Sequence, residues 1–264
     1  MFNLKNGSVN IGDTKADYIS FGKGKKTMVI IPGLSFNRVK GAGTPLAFMY
    51  RIFAEEYTVY VIDRKDDVEE NCTTESLAED TVAVMQTLGL CNADIIGISQ
   101  GGMIAQYIAV YYPQMVNKLV LGVTTASTNK TVEDAIRKWI YLCDNGMYDQ
   151  MALDMLQKLY SEKYMKKYKA LVPLTAKLIA KKDMPRFTKL AKACLNFDIT
   201  EKLEQIKCPV YVISGAKDMV VGGDAGQKIA DVLKCESHVY ADLGHAAYEE
   251  ATDFNKRIIE FLQK

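Results

Sequence analysis

Ile95-Ile96-Gly97-Ile98-Ser99-Gln100-Gly101-Gly102-Met103-Ile104-Ala105 decides how this chain reads. The first four residues form a short apolar run, the pattern of a strand buried on both faces. Gly101, Gly102, Ala105 and Ala109 then fall on one face of a helix, where small side chains let it pack close to a sheet. Between the two lies Gly97-Ile98-Ser99-Gln100-Gly101, a G-x-S-x-G match in a strand-to-helix setting. A turn this tight needs glycines beside the serine, because a Cβ would clash. It lifts the Ser99 hydroxyl above the carboxyl edge of a sheet, at a helix N-terminus. The plainer alternative is a serine N-cap in an ordinary turn.

Outward from this stretch, similar Val- and Ile-rich runs recur at 28–31, 59–62, 119–123 and 210–213, with a weaker sixth at 238–240. Helical stripes separate them, for example Leu77, Thr81, Val84 and Leu88 ahead of a terminating Gly89. Alternating strands and helices predict an α/β fold, a doubly wound and mostly parallel sheet with right-handed crossovers. The turn residues before Thr27 predict a hairpin on the sheet edge. The alternation stops over residues 125–200, where four helices are expected: 133–143, 149–160, 164–180 (broken at Pro173) and 186–195. The expected organisation is one core, 1–124 and 201–264, with a helical cap insertion at 125–200.

Composition narrows the function classes. The 264 residues are 48% apolar and 25% charged, which excludes disordered and fibrous classes. No apolar run is long enough for a transmembrane helix, and the N-terminus lacks the pattern of a secretory signal. Lys plus Arg is 33 against 32 for Asp plus Glu, so no nucleic-acid partner is expected. The six cysteines (72, 91, 143, 194, 208 and 235) include no C-x-x-C pair, and there are two histidines. Reduced thiols in a cytoplasmic protein are expected, with no metal site and no organic cofactor. Oligomeric state leaves no mark in the sequence.

A serine needs a base. His238 lies inside the weak last strand; His245 lies in the loop after it, where α/β sites gather, and is the candidate base. The acid that orients it is expected at Asp218, directly after the 210–213 strand, with Asp224 and Asp242 as rivals. Serine, acid and histidine then follow the chain order this fold uses. Two backbone N–H groups should bind an oxyanion: Gln100, just after the serine, and Leu34, after the 28–31 strand. Ser35 lacks a tight turn around it.

The segments PGLS (32–35), GISQGGMIAQ (97–106), SGAKD (214–218) and GHAAYEE (244–250) together resemble the α/β-hydrolase superfamily, in its cap-bearing, esterase- or lactonase-like serine hydrolase form. The resemblance implies the same assignments: Ser99 nucleophile, Asp218 acid, His245 base, Leu34 and Gln100 oxyanion donors. Two departures stand out. Pro32-Gly33 replaces the His-Gly of many relatives, and Arg64-Lys65-Asp66-Asp67 replaces an R-G-x-G-x-S turn that is usually structural.

The expected activity is hydrolysis of a small-molecule carboxylic ester, thioester or lactone through an acyl-enzyme. Carbon–carbon bond hydrolysis and aminopeptidase-type amide hydrolysis use the same three residues, and a weakly catalytic ligand receptor would retain them. Met147, Tyr148, Met151, Met155, Tyr160, Tyr164 and Tyr168 of the insertion either line the pocket or serve ordinary helix packing. From Lys158 to Lys192, ten lysines and one arginine stand against Glu162 and Asp183, a net +9. The whole chain carries +1, so the remainder carries −8. That face is either a solvated helical surface or one that attracts an anionic substrate.

Overall fold

Successive side chains of a strand point to opposite faces, so an uninterrupted apolar strand needs cover on both sides. The structure, a computed structural model, describes residues 3–168 and 183–264 and meets that need. Its strands are β1 (Lys5–Ile11), β2 (Thr14–Gly22), β3 (Lys26–Ile31), β4 (Tyr57–Lys65), β5 (Ala93–Ile98), β6 (Val116–Gly122), β7 (Val210–Gly215) and β8 (Glu236–Tyr240). They form one eight-stranded sheet, in the order β1-β2-β4-β3-β5-β6-β7-β8. β1 and β2 are the expected edge hairpin, antiparallel to each other, and β2 is antiparallel to β4. The other pairings are parallel.

The helices are α1 (Gly43–Met49), α2 (Thr74–Thr87), α3 (Gln100–Tyr111), α4 (Lys130–Asp144), α5 (Tyr148–Leu159), α6 (Glu162–Tyr168), α7 (Met184–Lys192), α8 (Ala225–Leu233), α9 (Ala247–Glu250) and α10 (Phe254–Leu262). Alternate residues of one strand serve two cores. Val29, Ile31, Ile95 and Leu119 pack with α2, α3, α4, α7 and α8, whereas Met28, Ile30, Ile96 and Val120 pack with α1, α9 and α10. The sheet is therefore doubly wound, as the apolar runs predict. The Thr73 hydroxyl accepts from Ser76 N–H to open α2, and Gly89, at φ +68°, follows its end.

Helices α4 to α7 lie between β6 and β7, entered and left beside a single bridge, Ser127 to Asp198. Trp139, Met151, Met155 and Phe187 from these helices share one continuous core with the sheet face. Of the helix expected over 164–180, only the start is described, within α6; Pro173, Lys169, Lys177, Lys181 and Lys182 lie outside the described residues.

The strand order reverses between β3 and β5: the chain runs from β3 outward to β4, then crosses back to β5. Loops at such a point diverge and leave a crevice at the carboxyl ends. Ile31 is in register with Gly97, so Pro32-Gly33-Leu34 emerges beside Ser99.

Candidate active site

β5 is buried along its whole length and ends at Ser99. Ser99 sits at φ +53°, ψ −120°, a strained region for any residue with a side chain. The strain is held by hydrogen bonds on both sides. Its N–H donates to Gly122 O (2.8 Å), and its carbonyl accepts from Gly102 N (2.8 Å) and Thr124 Oγ1 (2.8 Å). The glycines are required sterically. A Cβ on Gly101 would stand 1.9 Å from Ile31 O, and one on Gly97 2.5 Å from Gly101 O. Ser99 occupies the N-cap position of α3 without making a side-chain cap, so its hydroxyl is not committed to the helix.

That hydroxyl meets His245 Nε2 at 2.9 Å, and His245 Nδ1 meets Asp218 Oδ2 at 2.8 Å. Asp218 is on the turn after β7, and its other oxygen accepts from Val220 N (2.8 Å) and Val221 N (2.9 Å). His245 is on the loop after β8. The two loops are zipped together by Ala216 N to Tyr240 O (2.9 Å) and Lys217 N to Leu243 O (2.9 Å). A carboxylate can only accept, so Nδ1 carries the hydrogen and Nε2 is left to accept from Ser99. Both side chains are at most 4% exposed.

The rivals are elsewhere. His238 stacks edge-on against Tyr240 at 4.5 Å, and partial burial lowers its pKa. Asp224 pairs with Lys228 (2.7 Å) and Asp242 with Lys217 (3.1 Å), all on the surface. Ser35 Oγ accepts from Asn37 N in a local turn.

The loop after β3 lies directly over the serine: a Cβ on Gly33 would be 3.2 Å from Ser99 Cβ. The next N–H, that of Leu34, has no acceptor among the described residues. The Gln100 N–H, first in its helix, has no intrahelical partner. Both residues line a chamber of about 70 Å³ together with Ser99 and His245. Its remaining walls are mostly apolar, including Val132, Ile136 and Trp139 of α4. An outer cavity of about 420 Å³ adjoins it and shares Gly33, Leu34, Met155, Leu159 and Tyr248 as walls.

The insertion residues divide between both expectations. Met155 and Tyr160 line cavities, Met151 is fully buried in the core, and Met147 and Tyr148 pack against it. Tyr164 stacks on Tyr160 and meets Tyr168 at a tilt, each with ring centroids 4.4 Å apart. Among the described residues the cations lining the outer cavity are arginines, Arg38, Arg64 and Arg186, and no lysine of the 158–192 stretch is among them.

Sequence reasoning missed the polar node beneath the oxyanion loop. The Arg64-Lys65-Asp66-Asp67 segment, expected to alter local packing, begins inside the last residues of β4 with Arg64, which is 5% exposed. Its Nη2 donates to Pro32 O (2.5 Å) and to Gln100 Oε1 (3.2 Å). Asp63 accepts from Arg186 Nη2 (3.1 Å) and from the Val39 and Arg64 N–H groups (2.8 Å each). The available signal was Asp63-Arg64 interrupting an apolar strand at its carboxyl end.

Comparison with known proteins follows the same line. The family model for the alpha/beta hydrolase fold matches residues 26–252. The 2-hydroxy-6-oxononadienedioate/2-hydroxy-6-oxononatrienedioate hydrolase of Paraburkholderia phymatum is 30% identical over 271 residues, 95% of this chain and 91% of that protein. The 3-oxoadipate enol-lactonase 1 of Acinetobacter baylyi is 25% identical over 195 residues, 72% of each chain. The crystal structure of the enol-lactonase from Burkholderia xenovorans superposes with a TM-score of 0.84 at 19% identity, covering 98% of this chain and 100% of that one.

Proposed function

The chain belongs to the α/β-hydrolase family and is a hydrolase; on that premise we propose that it cleaves a small carboxylic ester, thioester or lactone with Ser99 as nucleophile, His245 as base and Asp218 as acid. The observation that carries this reading is the unbroken line Asp218–His245–Ser99, with contacts of 2.8 and 2.9 Å, opening into a chamber beside two uncommitted N–H groups.

Ser99 Oγ attacks the carbonyl carbon while His245 Nε2 takes its proton. The carbonyl oxygen becomes an oxyanion facing the N–H groups of Leu34 and Gln100. The intermediate collapses, His245 returns the proton to the leaving oxygen, and an acyl-serine remains. Water then gives a proton to His245 as it attacks the acyl carbon, and the second intermediate collapses as His245 returns that proton to Ser99 Oγ, releasing the acid and restoring the free serine. Asp218 stays ionised throughout, holding the imidazole in its tautomer and stabilising the imidazolium.

A water molecule needs about 10–15 Å³ of such space, so the inner chamber suits an acyl group of about five to seven heavy atoms. The larger part of the substrate occupies the outer cavity, and residues 125–200 act as its cap. Three arginines, Arg38, Arg64 and Arg186, outnumber the carboxylates Asp63 and Glu249 on its walls, which supports an anionic small molecule there. Six free thiols, with burial raising the pKa of five of them, support a reducing compartment such as the cytoplasm.

A second reading is favoured by one observation. The Paraburkholderia relative spans nearly the whole chain, and its named substrate carries a 6-oxo group and two carboxylates. Hydrolysis of a carbon–carbon bond next to such a ketone would use the same residues.

A fluorophosphonate probe followed by peptide mass spectrometry tests the nucleophile. An adduct on the Ser99 peptide, absent in Ser99→Ala, is expected. Folded protein that takes no label, or takes it elsewhere, would overturn the assignment. With a 6-oxo dicarboxylate as substrate, release of a carboxylic acid from the ketone carbonyl together with a second fragment protonated at the cleaved carbon would favour the second reading.

A further inference from the structure

A buried cation is normally retained only where something compensates it. Among the described residues Arg64 is the exception. Its neighbour Asp63 is engaged by Arg186 and two backbone N–H groups, and no carboxylate among the described residues pairs with the Arg64 guanidinium. Nε has no hydrogen-bond partner among the described residues. Burial lowers its pKa to about 10, so it stays a cation at neutral pH.

What the guanidinium does touch is specific. Nη2 reaches the carbonyl of Pro32 and the side chain of Gln100. Pro32 lies two residues before the Leu34 N–H, and Gln100 carries the second N–H, so one nitrogen bridges the two halves of the oxyanion hole. Strands β3 and β5 supply these halves, and no backbone hydrogen bond need join two diverging loops. Gln100 extends the bridge: its Nε2 donates to Leu190 O (2.6 Å) and Cys194 Sγ (3.1 Å), fixing α7 and Cys194, two residues past its end. From α7, Arg186 Nη2 returns to Arg64 O (2.8 Å) and Lys65 O (3.2 Å). The circuit closes on the backbone of Arg64 itself.

Resting on the serine-hydrolase reading above, we infer that Arg64 is a positioning residue of the reaction: it holds the Leu34 and Gln100 N–H groups at the spacing an oxyanion needs, and keeps beside them a positive charge that no carboxylate contacts. A fixed charge in a buried site acts on a developing oxyanion more strongly than the same charge in water. One planar amino group, Nη2, serves both acceptors, and a lysine ammonium would keep the charge but not that planar placement. Through Gln100 the same residue makes the hole depend on the seating of α7.

The test compares 4-nitrophenyl acetate with its thiono analogue, in which sulfur replaces the carbonyl oxygen and accepts hydrogen bonds poorly. Arg64→Met is expected to lower kcat on the oxygen ester by about 10- to 100-fold, less than deletion of a whole donor. KM should stay within about threefold. The preference for oxygen over sulfur should shrink by a similar factor, a readout that mere loosening of the fold would not move. Arg64→Lys should fall between Met and wild type, and it serves if Arg64→Met does not fold. A lower kcat with the oxygen-over-sulfur preference unchanged would overturn the inference, leaving Arg64 a structural strut. A raised KM with kcat intact would overturn it in favour of a substrate contact. Ser99→Ala on the same ester separates the two levels. If it is inactive while Arg64→Met matches wild type, only the role of Arg64 falls. If it turns over normally, the serine reading falls as well.

Discussion

Asp218→Asn is the most informative single change, because the structure dictates how the new amide must sit. Asp218 Oδ1 accepts two backbone N–H groups, from Val220 and Val221, and Oδ2 accepts from His245 Nδ1. An asparagine can satisfy the two backbone donors only with its carbonyl oxygen. Its NH2 then points at His245 Nδ1 and donates to it, which places the imidazole hydrogen on Nε2. An Nε2 that carries hydrogen cannot take the proton of Ser99. Recovering the productive tautomer requires flipping the amide, which strips the acceptor from two buried N–H groups at about 1–3 kcal/mol each. The total of about 2–6 kcal/mol corresponds to a loss in kcat of about 30-fold to about 3 × 10⁴-fold, at 1.36 kcal/mol per decade. The upper end matches the ~10⁴ found for the same exchange in a serine protease. The assay is release of 4-nitrophenolate from a short-chain ester, with thermal unfolding as the control for integrity. Asp224→Asn and Asp242→Asn, which disturb only surface ion pairs, should leave the rate unchanged. A folded Asp218→Asn within about fivefold of wild type would refute the argument that this carboxylate sets the tautomer.

Other consequences are open to measurement. Ile136→Ala removes three carbons from the wall of the inner chamber, and should cost about 2–4 kcal/mol of stability while raising the hexanoyl-over-acetyl preference in kcat/KM about tenfold; an unmoved preference would mean the acyl group does not enter there. For Asp154, burial raises the pKa, but hydrogen bonds from Lys138, Lys158 and Trp139 more than offset it and the net shift is downward. A depressed carboxylate stabilises the fold above its unfolded pKa and loses that contribution as pH falls through the folded value. Asp154→Asn should therefore lower the urea midpoint at neutral pH, with the gap to wild type narrowing below about pH 4; a gap independent of pH would contradict this. Finally, kcat/KM for an acidic ester should fall with added salt more steeply than for a neutral ester of equal length, and equal slopes would dismiss electrostatic attraction of the substrate.

How much was legible depended on the range of the interaction. The elbow around Ser99 was readable because its constraint is local: Gly97 and Gly101 are demanded by atoms within a few residues of the turn and by the neighbouring strand. The sheet was readable because strands buried on both faces need a continuous apolar run, and β3 to β7 each carry one, at 28–31, 59–62, 95–98, 119–121 and 210–213. Asp218 and His245 were readable by position, since each sits on the loop that follows a strand, and loops at one edge of a parallel sheet share a crevice. The same logic separated His245 from His238, which lies within β8.

Arg64 and the side chain of Gln100 were not legible in that way. An arginine at a strand end has no periodicity to betray it, and its partners, Pro32 and Gln100, stand 32 and 36 residues away. Gln100 reaches Leu190 across 90 residues. The lysine-rich stretch drew attention to charge, and of its cations only Arg186 lines the outer cavity among the described residues; it is joined there by Arg38 and Arg64 from distant segments. The amino-acid sequence by itself determined the α/β order of elements, the elbow and the chain order of serine, acid and histidine, because these follow from backbone sterics and from burial pattern along the chain. Only the tertiary structure decided which long polar side chains meet, because their reach is set by how a helix from residues 184–192 packs over strands laid down more than a hundred residues earlier.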